Sequence, residues 1–266
     1  MPGKQELTTE PLRLLFLGWY ACGLLLMLTV GVPDALTFSN GLFLVLYALY
    51  ALRIEAGLQE KAVIRSVRAL GIAAAAFLAE VLGVATGWPF GEYVYTSELG
   101  FLVAGVPITM TCAWVGVVTN AVMLAEDSSS RMTRAVKTGL WTVLLDLVLD
   151  PVASARGMWI WGDGESGAEA VRNFGAFGSN GYYGIPFVNF VGWFLLSALL
   201  SFLYPRRVTS ADVSRRSVRL MELMLMMFGL LGIKAGLWIS PIVAAGGCLL
   251  LEGVLRRDPR RQKPFF

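Results

Sequence analysis

Eight long apolar runs constrain this chain more than any other feature of its sequence. They lie near residues 11–31, 35–52, 66–86, 99–125, 134–154, 184–204, 217–234 and 238–255. Runs of about 17–25 apolar residues match the hydrocarbon thickness of a bilayer, so each predicts a spanning helix. The chain is 56% hydrophobic and 15% charged, against about 45–50% and about 25% in soluble domains. A soluble enzyme, a secreted disulfide scaffold and a disordered chain are excluded, and an all-α, polytopic transmembrane helix bundle is predicted, with residues 1–266 forming one integral-membrane domain.

The basic residues indicate how such a bundle is oriented. All but Arg156, Arg172 and Lys234 of the 22 lysines and arginines lie in the terminal segments or in the second, fourth and sixth connections. Because cytoplasmic loops collect positive charge, both termini are expected in the cytoplasm and the number of spans is expected to be even. Eight spans are therefore favoured over seven, and six fit if the last two runs form a re-entrant hairpin. The expected location is the cytoplasmic membrane.

The residue types present limit the chemistry. The chain has no histidine, and Cys22, Cys112 and Cys248 lie singly within apolar runs. Neither a disulfide framework nor a metal site is predicted, and no nucleotide-binding motif of the GxGxxG or P-loop type occurs. A scattered net charge of +3 does not indicate nucleic-acid binding. No metal and no cofactor are expected, so proton chemistry must use carboxyl groups, tyrosine or lysine.

Three acidic residues lie deep inside predicted spans: Glu80, Asp146 and Asp150. At 1.5 Å per residue, each lies about 6–12 Å below the outer end of its span, and Asn189 lies at a similar depth. Asp146 and Asp150 are four residues apart and share a helix face, beside the kink that Pro151 can introduce. Three ionised carboxylates here would cost roughly 8–10 kcal/mol, so burial and repulsion favour at least one neutral acid, which is a proton donor. Alternatively, the acids only hydrogen-bond neighbouring helices.

Aromatic residues cluster in two connections that are predicted to lie on the outer face. One connection carries Trp88, Tyr93 and Tyr95, and the other carries Trp159, Trp161, Tyr182 and Tyr183. Aromatic rings at helix ends commonly anchor a protein at the membrane interface. Because both clusters lie on one face, a substrate-binding site beside the acids is favoured over a general interface belt.

A short motif occurs once in each of the two regions with the same spacing, and we call this repetition the internal echo. Gly105-Val-Pro107 precedes Trp114, and Gly184-Ile-Pro186 precedes Trp193, with the same spacing from proline to tryptophan. Each copy follows an acid-bearing span and an aromatic connection. This arrangement is typical of a duplicated membrane unit.

Several of these segments resemble one protein family. They are Glu80 with Gly87-Trp-Pro-Phe-Gly-Glu-Tyr-Val-Tyr95, Gly105-Val-Pro107, Asp146-Leu-Val-Leu-Asp-Pro-Val152, Trp159-Ile-Trp161, and Tyr182-Tyr-Gly-Ile-Pro-Phe-Val-Asn-Phe190 with Gly192-Trp193. They resemble the carotenoid-biosynthesis membrane proteins that hydrate ψ-end groups, the carotenoid 1',2'-hydratases and bisanhydrobacterioruberin hydratases, over about residues 65–205. The resemblance implies a cofactor-independent hydro-lyase that adds water across the terminal isopropylidene double bond of an acyclic or monocyclic carotenoid.

The residues suit such a hydration. Asp150 or Glu80 is expected to protonate the alkene, and the remaining carboxylate, helped by Asn189, is expected to orient and deprotonate the water. Aromatic faces are expected to stabilise the tertiary carbocation. The predicted catalytic residues are Glu80, Asp146 and Asp150, and the predicted substrate-binding residues are Trp88, Tyr93, Tyr95, Trp159, Trp161, Tyr182, Tyr183 and Asn189.

Two alternatives stay open. A membrane carotenoid cyclase would use the same protonation but quench the cation with a second alkene. A proton-coupled transporter would use the acids as an ion path. The expected partners are a carotenoid and water, the lipid bilayer and other membrane enzymes that act on carotenoids, and no nucleic acid.

Overall fold

The computed structural model describes residues 10–126, 128–162, 171–173, 175, 177, 181–206 and 209–257. Eight long α-helices, three short 3-10 helices and four short strands form most of this part of the chain. The helices are α1 (Pro11–Leu28), α2 (Phe38–Glu55), α3 (Ala62–Thr86), α4 (Met110–Ala125), α5 (Arg131–Ala155), α6 (Phe187–Ser201), α7 (Ala211–Ala235) and α8 (Ile239–Arg257). The strands are β1 (Tyr93–Tyr95), β2 (Leu102–Val103), β3 (Val106–Pro107) and β4 (Trp159–Trp161). The predicted all-α bundle is thereby confirmed.

Five helical segments are long and apolar enough to cross a membrane. They are Pro11–Leu28, Asp34–Leu58, Ala62–Thr86, Arg131–Ala155 and Ile239–Arg256. Helices α4 and α6 are apolar but shorter, and α7 carries several charges in its first turns. Each of the eight helices overlaps one of the eight apolar runs. The orientation of the termini remains a prediction from the charge pattern.

The fourth apolar run is only partly helical. Helix α4 begins at Met110, whereas the run begins near residue 99. The intervening segment contains Gly100, Ala104 and Gly105, whose φ angles of 106°, 51° and 80° lie outside the α-helical region. Strands β2 and β3 form a small hairpin around the last two of these residues. Left-handed backbone angles stop a right-handed helix, so an apolar composition alone overestimated its length.

Helix α4 forms the centre of the bundle. Every residue of α4 except Thr111 and Cys112 is buried. Gly116 makes the approach of α2 possible, because a Cβ atom at this position would lie 2.4 Å from the Tyr47 ring. The central position of α4 brings its outer end, with Trp114, against the acid-bearing helix α3.

The last two apolar runs form two full helices. Helix α7 has 25 residues and α8 has 19. Gly236, with φ of 75°, ends α7 in the left-handed conformation that glycine adopts at low cost. The two helices then pack closely, since a Cβ atom on Gly229 would lie 2.8 Å from the Cβ atom of Ala244. Helix α8 is long and apolar enough to cross a membrane, whereas α7 begins with charged residues, so the number of spans stays a prediction.

Buried ion pairs lie at the end of the bundle that the charge pattern places in the cytoplasm. Arg68 at the start of α3 contacts both Glu55 and Glu60. Arg134 at the start of α5 contacts Glu126, with 3.1 Å between Nη1 and Oε1. Both arginines are buried. Glu80 lies 12 residues after Arg68, and Asp146 and Asp150 lie 12 and 16 residues after Arg134, so the predicted acids are about 18–24 Å along their helices from this charged end.

Candidate active site

Two short strands bring the aromatic connections together. β1 pairs with β4 in antiparallel register, with Tyr93 opposite Trp161 and Tyr95 opposite Trp159. β1 follows α3 and β4 follows α5, so this pairing joins the C-terminal ends of the two acid-bearing helices. Alternate residues of a strand point to the same face, which places all four aromatic side chains on one side of the two-stranded ladder.

Glu80 accepts hydrogen bonds from three aromatic side chains. Its Oε2 atom accepts from the Tyr93 hydroxyl at 2.5 Å and from the Tyr95 hydroxyl at 2.9 Å. Its Oε1 atom accepts from Trp114 Nε1 at 2.7 Å. Burial and the neighbouring Glu80 carboxylate raise the pKa of both tyrosines above the ordinary value, so both hydroxyls stay protonated and donate. Both carboxyl oxygens therefore have hydrogen-bond partners although Glu80 is only 2% exposed, and about one of the four acceptor sites of the carboxylate is left.

One amide group connects the two aspartates of α5. Asn189 Nδ2 donates to Asp150 Oδ2 at 2.6 Å and to Asp146 Oδ2 at 3.0 Å. Asp150 Oδ1 accepts from Trp159 Nε1 at 2.6 Å. Asp146 Oδ1 is buried without a partner among the described residues. Both carboxyl groups are thus held by the same side-chain amide.

A small cavity lies between Glu80 and Asp150. It is lined by Glu80, Phe90, Tyr93, Tyr95, Met110, Asp150, Trp159, Trp161, Asn189 and Trp193. The space open to the centre of a water-sized sphere is about 20 Å³, and a water needs roughly 10–15 Å³ by this measure together with two to four polar partners. Glu80, Asp150 and Asn189 provide such partners. The cavity therefore suits one water molecule among carboxyl groups and aromatic rings.

The two halves of the internal echo share a backbone conformation. Ala104 and Gly105 have φ angles of 51° and 80°, and Tyr183 and Gly184 have φ angles of 53° and 81°. Each pair forms the turn that precedes the repeated proline and the following helix. Two consecutive positive φ angles are typical of a type I′ turn, which is uncommon outside hairpins. The sequence echo is accompanied by a structural repeat of α3 to α4 in α5 to α6.

The repeated units meet at the cavity. Trp114 from the first unit stacks on Trp193 from the second, with ring centroids 4.4 Å apart. The acid–donor pairs also correspond, because the first aromatic residue of each paired strand donates to the acid of the preceding helix. One pair is Tyr93 with Glu80 and the other is Trp159 with Asp150. The site thus contains two similar halves that differ in acid and in donor.

Seven of the eleven predicted site residues line the cavity: Glu80, Asp150, Tyr93, Tyr95, Trp159, Trp161 and Asn189. Asp146 does not line the cavity, but it accepts a hydrogen bond from Asn189, which does. Trp88, Tyr182 and Tyr183 lie elsewhere. Trp88 is 66% exposed because the turn after α3 directs Phe90 inward instead. Tyr182 packs on Phe190, and the Tyr183 hydroxyl accepts from the Ile239 amide at 3.3 Å.

Four residues around the acids were not predicted as site residues: Phe90, Met110, Trp114 and Trp193. The internal echo contained a signal for the two tryptophans, since it marked them as equivalent positions after matching turns. Met110 and Asn189 are also equivalent in that echo, each three residues after the repeated proline. Phe90 carried no comparable signal.

Comparison with known proteins agrees with these motifs. The chain is 30% identical over 194 residues to the bisanhydrobacterioruberin hydratase of Haloarcula japonica. The alignment covers 70% of this chain but only 60% of the length of that relative. No solved structure matches the chain at a significant level. The family model described as carotenoid biosynthesis protein matches residues 39–252, and the chain therefore belongs to the carotenoid biosynthesis protein family.

Proposed function

We propose that this protein is a carotenoid hydratase, a cofactor-independent hydro-lyase of the cytoplasmic membrane formed by a single domain over residues 1–266. It adds water across the terminal isopropylidene double bond of an acyclic or monocyclic carotenoid. The observation that carries this proposal is the cavity with room for one water between Glu80 and Asp150, surrounded by aromatic rings. Family membership and the activity named for the relative from Haloarcula japonica support it.

Asp150 is the proton donor in this proposal. It shares the Asn189 amide with Asp146, and both carboxyl groups are at most 1% exposed. Two like charges so close together in a buried setting repel each other strongly, so the pair retains a proton. Because Asp150 lines the cavity and Asp146 does not, Asp150 is the member of the pair that reaches the substrate.

Glu80 is the base. Three donors hold its carboxyl oxygens, and hydrogen bonds to a charged acceptor stabilise the anion more than the neutral acid. It lines the same cavity as Asp150. The two halves of the site therefore supply different functions, an acid in the second unit and a carboxylate in the first.

The reaction proceeds by proton transfer, cation formation and water capture. The Asp150 proton forms a bond with the CH carbon of the terminal double bond, using the π electron pair, and leaves a tertiary carbocation on the neighbouring carbon. The oxygen of the cavity water bonds to that carbon, and Glu80 takes the proton that the oxygen releases. This proton returns to Asp150 through the next water, since both acids line one cavity. The faces of Trp159 and Trp161 stabilise the cation by about 0.5–2 kcal/mol each.

The substrate reaches the site from the bilayer. A carotenoid is apolar along its chain, and the described acids of the site lie within the helix bundle and not in a solvent-exposed domain. The cavity is too small for an isopropylidene group as it stands, so the aromatic ladder of β1 and β4 must move aside when the end group enters. Partners in this proposal are the carotenoid, water, the lipid bilayer and other membrane enzymes that act on carotenoids.

Expression in a bacterial host that produces lycopene tests the proposal. Pigments are extracted, separated by chromatography and analysed by mass. We expect products heavier than lycopene by one or two waters from the parent protein and from Asp34→Asn, which changes an exposed acid outside the site. A new product of unchanged mass would identify a cyclase instead, and unaltered lycopene with correctly inserted protein would contradict hydration of this end group.

A further inference from the structure

A second, larger cavity lies between α1, α2 and α7. It offers about 170 Å³ to the centre of a water-sized sphere, against about 20 Å³ for the cavity between the acids. Its lining is mainly apolar and includes the rings of Trp19, Tyr20, Phe43 and Phe228. Residues of the outer connections, among them Leu99 and Met158, close one side. A cavity of this size and chemistry suits an apolar chain.

The two cavities are lined by two consecutive residues of the chain. Met158 lines the large cavity and Trp159 lines the small one. Thr96 fixes this dividing segment, because its hydroxyl donates to the Gly157 carbonyl at 2.7 Å and contacts the Met158 carbonyl at 3.2 Å. A ligand in the large cavity therefore lies directly beside the wall of the proposed active site.

Two polar side chains of the lining already donate hydrogen bonds within the protein. Asn40 Nδ2 donates to the Glu98 carbonyl at 3.1 Å, and Trp19 Nε1 donates to the Ser39 carbonyl at 3.4 Å. Arg156 is the charged residue of the lining; its Nε atom is buried without a hydrogen-bond partner among the described residues, and Glu98 partly offsets its charge. The surface presented to a ligand thus consists mainly of hydrocarbon and aromatic ring faces.

We propose that this cavity binds the polyene chain of the carotenoid while its end group occupies the site between Asp150 and Glu80. The inference rests on the proposed function and assigns a binding site to the polyene chain of the same substrate. The small cavity suits one water and has no room for a long chain, so the chain requires an adjoining apolar site. A conjugated polyene is flat and apolar, and it stacks favourably on rings such as those of Trp19 and Phe43.

Two glycines on α1 provide a matched pair of test variants. Gly23 lines the large cavity and Gly18 does not. A Cβ atom added at either position meets nothing within 4 Å, so Gly23→Leu and Gly18→Leu both begin their added side chain in open space. Leucine also favours a helix more than glycine does. Only Gly23→Leu places a side chain in the cavity.

Pigment binding is measured in proteins that also carry Asp150→Asn, so that bound lycopene is not converted. Each protein is purified in detergent from a lycopene-producing host, and its bound lycopene is quantified by absorbance. We expect Gly23→Leu to lower the lycopene affinity at least about tenfold, the factor expected when an apolar ligand loses burial of a leucine-sized group. We expect Gly18→Leu to match the parent. Equal lycopene binding by both leucine variants would overturn the proposal.

Turnover with two substrates separates this proposal from the proposed function. A ten-carbon acyclic terpenoid carries the same isopropylidene end but has no polyene chain. We expect Gly23→Leu to hydrate lycopene more slowly than Gly18→Leu and to hydrate the short terpenoid at the same rate. Equal slowing with both substrates would show that the cavity does not hold the chain. Failure of the parent protein to hydrate either substrate would contradict the proposed function, while the binding measurement would still decide the site of the polyene.

Discussion

Replacing Asp150 by asparagine tests the proposed proton donor, and the surrounding hydrogen bonds determine the side effects to expect. Both carboxyl oxygens of Asp150 accept a hydrogen bond, one from Trp159 Nε1 and one from Asn189 Nδ2. An asparagine amide has only one acceptor oxygen, so its NH₂ group must face one of these two N–H donors. Asp150→Asn therefore removes the acidic proton and also breaks one buried hydrogen bond.

The two effects have different expected sizes. Loss of general acid catalysis lowers turnover by about 10²- to 10⁴-fold. Loss of one buried hydrogen bond lowers the free energy of unfolding by about 1–3 kcal/mol. Thermal unfolding of the purified protein in detergent measures the second effect, and hydrated carotenoid formed per amount of inserted protein measures the first.

A double variant separates the two effects. In Asp150→Asn with Asn189→Asp, the new amide donates to the new carboxyl group and accepts from Trp159, which restores the hydrogen bonds at position 150. Asp146, however, loses the bond that Asn189 donates to it and faces the new carboxyl group instead. We expect the double variant to regain only the part of the unfolding free energy that the hydrogen bonds at position 150 supply, and to remain at least about 10²-fold less active than the parent, because the acid lies on a different helix. Parent-like turnover in Asp150→Asn itself would refute the carboxylic-acid mechanism.

Asp146→Asn is the matched single substitution. Its Oδ2 position accepts from Asn189, while its Oδ1 position has no partner among the described residues. An asparagine can place its oxygen toward Asn189 and its NH₂ group at the free position, so we expect a cost in unfolding free energy below about 1 kcal/mol. Asp146→Asn removes the neighbouring charge that helps Asp150 to retain its proton, so turnover should fall, but less than in Asp150→Asn, because Asp150 keeps its carboxyl group in the cavity. Equal losses of turnover in the two variants would contradict the assignment of Asp150 as the donor.

Three further predictions concern the rings, the topology and the core. Trp161→Leu should lower turnover about five- to thirtyfold, and Trp161→Phe should retain part of the rate, because only an aromatic face stabilises the cation; equal rates in both would return this ring to an interface role. Reporter fusions after Lys61 should report the cytoplasm and fusions after Gly167 the exterior, as the basic residues predict; the reverse result would contradict the orientation. Gly116→Ala should lower the free energy of unfolding by about 1–3 kcal/mol, because the added Cβ atom would lie 2.4 Å from the Tyr47 ring; unchanged thermal unfolding would show that the two helices separate at little cost.

Hydropathy and residue spacing were enough to predict much of this protein. Long apolar runs have few alternatives to helices in a bilayer, since every backbone N–H and C=O group must be satisfied within the segment. The depth of each acid followed from the fixed rise of a helix. For the same reason, Glu80, Asp150 and Asn189 were predicted to share one level, and the structure places them around one cavity.

The direction in which side chains point was harder to predict from the sequence. Trp88, Tyr182 and Tyr183 occur in the same aromatic connections as Tyr93 and Trp159, yet they lie outside the cavity. Composition does not distinguish an inward ring from an outward one when the connection lacks a regular period. The short strands β1 and β4 supply that period, but each has only three residues and is stabilised by its distant partner.

The sequence by itself determined that this chain is an all-α membrane bundle with carboxyl groups and aromatic rings at one end. These properties depend on local composition and on distances along single helices. Only the tertiary structure decided that Asn189 bridges Asp146 and Asp150, that Trp114 stacks on Trp193, and that Glu80 receives three donors. Such contacts depend on how each helix is rotated about its axis and on which helices are neighbours. Both are set by packing between segments far apart in the chain, and no local pattern encodes them.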